Sequence, residues 1–329
     1  MAVYTTIDNP ELYFQTKLYT GNGSDNHAIT LDGDEDMAPN LVWLKNRDSG
    51  SDSHLFFDTV RGATKYISSN STAAETTDVD TLDSFTSDGF QVDDKGNVNT
   101  NTENYVAWCW KESTTAGFDI VNNVKNDTDV ENVSHNLSAV PHWIIGKSTT
   151  GGSYRWICYH KDIANTHAQY LNEDFANTDS DTFWNDTDAT SSVFTLGADN
   201  SWNGTNIFYV WTSIQGFSKF GTYTGNGNAD GTFVHTGFRP AFVMIKNESA
   251  DHSWRLMDNK RTGINPSNSA FDANSVAAEY TNNDIDLLSN GFKIKETDGD
   301  TNESGQAMIY MAFAEAPFVN SNGVPNNAR

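Results

Sequence analysis

Basic residues are scarce in this chain. Twenty Lys and Arg stand against 44 Asp and Glu over 329 residues, a formal charge of -24. So acidic a surface repels phosphate backbones and anionic headgroups, which excludes nucleic acid and anionic lipid as principal partners. It favours solubility and suits a salty medium in which self-repulsion is screened. Long apolar runs are missing too: no stretch approaches the roughly 18 residues of a membrane span. The opening MAVYTTIDNPELYFQ carries neither the basic nor the apolar segment of a secretory signal, so none is expected. Cysteine is nearly absent. Cys109 and Cys158 sit in the aromatic runs YVAWCW and RWICYH. Two are too few for a disulfide framework, and the setting is that of small buried residues rather than reactive thiols.

Helical periodicity is lacking as well. Few segments place apolar residues at i, i+3, i+4 and i+7, whereas many short apolar runs close on Asn, Asp or Gly, as strands joined by turns do. Low apolar content with high charge also marks disordered chains. Here nine Trp, twelve Tyr and nineteen Phe recur at regular places in strand-like runs, and the expectation is an all-β fold.

What the chain does have is internal repetition. A proline followed six residues later by lysine brackets an apolar run three times: PNLVWLK at Pro39–Lys45, PHWIIGK at Pro141–Lys147 and PAFVMIK at Pro240–Lys246. The lysines lie 102 and 99 residues apart. A second marker follows each: YVAWCW from Tyr105, YVWTSI from Tyr209 and YMAFAE from Tyr310. Copies one and three also share YTGNG, an aromatic-Asp segment ending in an Arg-containing turn, and SDGF or SNGF; the middle copy is the most diverged. The spacing predicts three tandem antiparallel β-sandwich repeats, lectin-like or jelly-roll in type, of about 100 residues each. Boundaries fall at 1–113, 114–215 and 216–329, the last with an irregular, extended tail from Phe318. Short junctions, neither Pro-rich nor long, predict units that touch rather than swing. The Pro-to-Lys run is apolar on both faces and reads as a central strand begun by proline, where the missing N–H does least harm. Asn-Gly in YTGNG and in SNGF, and Asp-Gly in SDGF, predict tight hairpin turns.

Candidate chemistry is thin. Asp58 with Arg61 and Asp258 with Arg261 share D-x-x-R spacing, either a ligand-facing pair or a local ion pair pinning a turn; the middle copy has His160, Lys161 and Asp162 in that slot. Trp184 and Trp202 stand in the polar stretches TFWNDTD and DNSWNGT, where an exposed ring stacks on a sugar and a buried one packs. His27, His135 and His235 recur at the repeat spacing but lack the companions of a metal site, and read as strand-edge or turn residues. Acidic turns such as DGDED at Asp32–Asp36 and ETDGD at Glu296–Asp300 miss the spacing and terminal Glu of a calcium loop. Solvated turns are the expectation there, with Ca²⁺ the alternative and no other cofactor. No phosphate-binding, dinucleotide or nucleophile-elbow motif is present, so no catalytic residue is assigned and the chain is not read as an enzyme.

The phrases YTGNG, LVWLKNRDSGSDSHLFFDTVRGATKYISSN, SFTSDGFQV, NYVAWCWK, GFSKFGTYTGNG, TGFRPAFVMIK, LSNGFKI and IYMAFAEAPF resemble a widespread family of virion proteins of tailed bacteriophages, especially phages of marine bacteria and cyanobacteria. The resemblance covers nearly the whole chain and implies repeated concanavalin-like sandwiches in tail, fibre or other structural proteins. It implies assembly with other virion proteins in the host cytoplasm, homo-oligomers (trimers are common in fibres), and lectin-like contact with host-surface glycans. It carries over no catalytic residue. The alternatives are a capsid decoration or tail scaffold protein without a ligand, and a polysaccharide depolymerase.

Overall fold

The computed structural model describes residues 4–126 and 129–326, the side chains of residues 282–284 excepted. Three large antiparallel sheets succeed one another along the chain. From edge to edge the first holds β1 (Phe14–Thr20), β9 (Asn104–Trp110), β3 (Leu41–Asn46), β4 (Leu55–Asp58), β5 (Lys65–Ser68) and β6 (Thr76–Thr77). The second holds β10 (Phe118–Lys125), β17 (Gly204–Trp211), β12 (Trp143–Ser148), β13 (Ile157–His160), β14 (His167–Tyr170) and β15 (Thr178–Asp179). The third begins β18 (Ser218–Thr224), β25 (Ala307–Pro317), β20 (Phe238–Asn247), β21 (Arg255–Asp258), β22 (Ser267–Asp272) and β23 (Tyr280–Leu288). Ranked within its own segment, each sheet has the order first, last, third, fourth, fifth, sixth.

A smaller layer covers one face of each. In the first segment it is β2 (His27–Thr30), β8 (Gly89–Val92) and β7 (Leu82–Thr86); in the second, β11 (Glu131–Ser134) with β16 (Val193–Leu196). In the third, β24 (Gly291–Ile294) and β19 (Phe233–His235) extend the large sheet past β23, so both layers form one continuous eight-stranded sheet.

The Pro-to-Lys strands sit where their composition puts them. β3 lies between β9 and β4, β12 between β17 and β13, and β20 between β25 and β21. Side chains alternate across a strand, so each run serves two cores. Leu41 and Trp43 join a central cluster, while Val42 and Leu44 join the first segment's own cluster with Phe57, Phe90 and Tyr105. The proline begins none of these strands: Pro39 and Pro141 stand two residues ahead of β3 and β12, and Pro240 lies inside β20, at a register shift against β25, the kind of bulge that tolerates a missing donor.

The central cluster draws on all three segments: Trp43, Phe56 and Trp108 from the first, Trp143, Trp156 and Tyr209 from the second, Phe242, Trp254 and Phe313 from the third. The units therefore touch, as the short junctions implied, and they do so through buried aromatic area, the largest single source of hydrophobic stabilisation. The N-terminal segment closes the circuit from the first unit to the third. Phe14 stacks on Phe313 at 5.1 Å, and Tyr4 donates to the Gly237 carbonyl at 2.8 Å.

Turn chemistry is kept in one place and revised in another. SDGF and SNGF make two-residue hairpin loops between β7 and β8 and between β23 and β24, but the loop residues are Ser87–Asp88 and Ser289–Asn290, and the glycine opens the return strand. YTGNG does not make a hairpin: β1 pairs with β9 and β2 with β8, so the phrase crosses from one layer to the other. Its glycine answers a close approach instead. A Cβ on Gly21 would come within 2.1 Å of the Thr100 carbonyl oxygen, and one on Gly225 within 2.3 Å of that of Glu303. These carbonyls follow the single-turn helices α1 (Gly96–Asn99) and α3 (Gly299–Asn302); α2 (Asp181–Trp184) belongs to the second segment. Asn99 and Asn302 accept the backbone N–H groups of Asn22 and Asn226 at 2.8 and 2.9 Å, locking the crossover to the helix. The tail from Phe318, as far as residue 326, lies on the chain itself, Ser321 donating its N–H to Asp8 at 2.6 Å.

Candidate functional site

The repeated lysines are buried at the seams between units. Lys45 Nζ donates to the carbonyls of Asp52 at 2.7 Å and, in the third unit, Val276 at 3.1 Å. Lys147 reaches Thr72 of the first unit at 3.2 Å, and Lys246 reaches Asp174 of the second at 3.1 Å. Backbone bonds repeat the cycle: Glu75 N–H to Thr149, Asn177 N–H to Glu248, and Glu279 N–H to Arg47, at 3.0, 2.8 and 2.9 Å. Burial pushes each lysine down to about 8 from its ordinary 10.5, because taking an ammonium out of water disfavours its charged form.

The D-x-x-R pairs are interior too. Asp58 and Asp258 are fully buried. Arg61 Nε donates to Asp58 at 2.5 Å and Arg261 Nε to Asp258 at 2.6 Å, while each guanidinium also reaches back to a carbonyl on the preceding strand, Phe56 or Leu256, at 2.8 Å. A neighbouring unit completes each site. Tyr209 donates its hydroxyl to Asp58 at 2.8 Å, and Trp108 its indole N–H to Asp258 at 3.1 Å. In the second unit His160 pairs across the ladder with Trp143, the place Asp58 and Asp258 take opposite Leu41 and Phe242. The donor position of Trp108 and Tyr209 holds Met311 in the third unit, opposite Met244. Acid and donor are thus lost together, which avoids a buried carboxylate without a partner. Burial holds His160 down to about 3, a neutral ring at any ordinary pH.

All nine tryptophans are buried, so Trp184 and Trp202 do not lie on loops facing solvent. They pack on each other with ring centroids 5.4 Å apart, and Trp202 Nε1 donates to the Phe183 carbonyl at 3.0 Å. Gly146, where β3 and β20 carry Leu44 and Ile245, explains Trp202. A Cβ there would come within 2.9 Å of the Trp202 ring, so the indole fills the volume that an aliphatic side chain fills elsewhere. None of the six ligand candidates presents itself to solvent. The polar neighbours of the two tryptophans left a stacking ring and a buried one both open, and the buried reading is the one that holds; sequence alone could not register the missing side chain at Gly146 that draws Trp202 inward.

His27 begins β2, His235 ends β19 and His135 follows β11, and among the described residues no cluster of three His, Cys, Asp or Glu is placed to hold a metal. Both cysteines are buried, and burial pushes their thiols well up.

An open cleft of about 400 Å³ does occur on the second unit at its seam with the first, lined among others by Tyr154, Arg155, Tyr170, Glu173 and Asp199 and by Thr72 of the first unit. Its origin is local. In the first and third units the loop after the central strand is pinned by an asparagine. Asn46 accepts the N–H groups of Asp48 and Ser49 and donates to Glu103; Asn247 accepts those of Ser249 and Ala250 and donates to Glu303. The second unit has Ser148 there, whose hydroxyl reaches only its own loop at Thr150. In the following segment, TTGGSYR, Thr149 is buried and bonded to Thr205, whereas residues 150–153 are exposed. Arg155 lies over the rings of Tyr170 and Phe175, at 4.9 and 5.6 Å, and approaches Glu173 at 3.4 Å. Asp199 accepts from the Ser201 N–H at 2.7 Å and the Thr182 hydroxyl at 3.2 Å. Sequence reasoning passed this site over; the signal was a Gly-Gly loop carrying an aromatic and a cation where the other copies have an Asn-anchored turn.

The architecture defines a class: an all-β chain of successive antiparallel sheets closed on one shared aromatic core. The chain belongs to the family described as a domain of unknown function, DUF7483, which matches residues 9–317. That match spans β1 through β25. No curated protein matches the chain by sequence.

Proposed function

We propose that this chain is a non-enzymatic exterior component of a tailed-bacteriophage virion, in the tail or a fibre, whose lectin-like sandwiches attach to host-surface glycans. The phrase-level resemblance set out above motivates the reading. The observation that carries it is the shared aromatic core: a rigid, strongly acidic body suits display on a particle surface. The charged pairs most available for chemistry, Asp58–Arg61 and Asp258–Arg261, are committed to interior hydrogen bonds between units, which supports a structural rather than a catalytic role. Quantitative mass spectrometry of purified particles tests it. Six to a few dozen copies, with antibody labelling on the tail, agree with the reading; hundreds of copies on the head refute it.

A second reading, a decoration or scaffold protein without a ligand, is favoured by the burial of all nine tryptophans, since no indole is left to stack on a sugar. A glycan array and a host-adsorption assay that both stay blank would select it.

A further inference from the structure

We propose that the cleft of the second sandwich is a binding site for a neutral saccharide, an inference that rests on the glycan-attachment reading and gives it a location. The volume, about 400 Å³, lies within the roughly 300–1,000 Å³ typical of small-molecule sites. Its lining is of the type that holds sugar hydroxyls and ring faces. Tyr154 offers an aromatic surface, folded back over Gly152, where a Cβ would come within 2.9 Å of the ring. Arg155 supplies donors, and Glu173 and Asp199 supply acceptors. Two carboxylates against one guanidinium leave the lining net negative, which disfavours uronic and sialic acids and favours uncharged sugars. The walls are held before any ligand arrives, Arg155 by Tyr170 and Phe175, Asp199 by Ser201 and Thr182, and Thr72 by the ammonium of Lys147. Such preorganisation lowers the entropic cost of binding. The opening lies where the middle unit has Ser148 in place of the pinning asparagine of the other two.

The test uses the purified full chain and saturation-transfer NMR with the methyl glycosides of glucose, galactose, mannose and N-acetylglucosamine, with glucuronate as the acidic comparison. Transfer to at least one neutral glycoside is expected, weakened about tenfold in Tyr154→Ala, as loss of an aromatic contact would produce, and weakened again in Glu173→Gln, a substitution that keeps the shape. Both variants should retain the far-ultraviolet spectrum of the parent. Binding that persists unchanged in both variants overturns this site while leaving glycan attachment standing. Binding of glucuronate alone overturns the assigned chemistry. No transfer to any glycoside overturns the site and the glycan part of the functional reading, but not a virion location, which particle mass spectrometry decides separately.

Discussion

At Lys45, Lys147 and Lys246 an ammonium is held out of water by carbonyls from two units. Deleting one side chain leaves those carbonyls unpaired, and Lys246→Ala should cost about 1–3 kcal/mol in urea unfolding. The pH dependence has a definite sign. Each folded-state value of about 8 lies below the ordinary 10.5, so between them the unfolded chain binds more protons and stability rises with pH. The burial penalty is full below pH 8 and relieved as the amines lose their protons. Urea midpoints measured from pH 7.5 to 9.5 should climb in the parent and climb less in the Lys45→Met/Lys147→Met/Lys246→Met variant; parallel curves would count against the assignment. Gly146 makes a second residue-scale case. Gly146→Leu restores the residue of the first unit but meets Trp202, and overpacking should cost roughly 1–3 kcal/mol.

At the scale of elements, the crossover after β1 depends on a contact rather than a turn type. Gly21→Ala drives a methyl into the Thr100 carbonyl and should destabilise by more than about 1 kcal/mol. Gly50→Ala, whose Cβ would have only Ala278 N near it at 3.8 Å, should be close to neutral. Thermal midpoints of the two variants, measured side by side, give the comparison. The same region shows what the sequence made legible. An apolar run without alternation announces a strand buried on both faces, and β3, β12 and β20 are central for that reason. Asp-Gly and Asn-Gly beside an aromatic announced the β7–β8 and β23–β24 hairpins. TGNG uses the same residue types, yet its glycine serves a layer crossing whose partner, Thr100, lies some eighty residues away, and local pattern carries no such information. The repeated lysines were visible as markers, but their acceptors at Thr72, Asp174 and Val276 belong to other units. Tyr154 and Arg155 were hidden for the converse reason: the cleft sits where Ser148 lacks the bonds that Asn46 and Asn247 make.

For the whole molecule, the shared core joins what the spacing had drawn as three sandwiches. A fragment of residues 1–113 would expose Trp43, Phe56, Trp108 and Trp110, a patch that a soluble monomer rarely carries. It should aggregate or bind a hydrophobic dye, whereas the intact chain should lose tryptophan fluorescence and far-ultraviolet signal in one coincident urea transition. Separate transitions, or a well-folded monomeric fragment, would show that the sandwiches are independent. Arg47 of the first unit, paired with Glu279 through two bonds of 2.9 Å, ties it to the third, where Arg261 lies 3.4 Å from the same carboxylate. Glu279→Ala should therefore lower the midpoint of the whole transition rather than release one part.

The bond between Asp8 and Ser321 brings the two ends of the circuit to a single corner. Cargo fused ahead of the body and cargo fused behind it would emerge side by side, and the whole could be spliced into a loop of another polypeptide as a cassette without stretching its host.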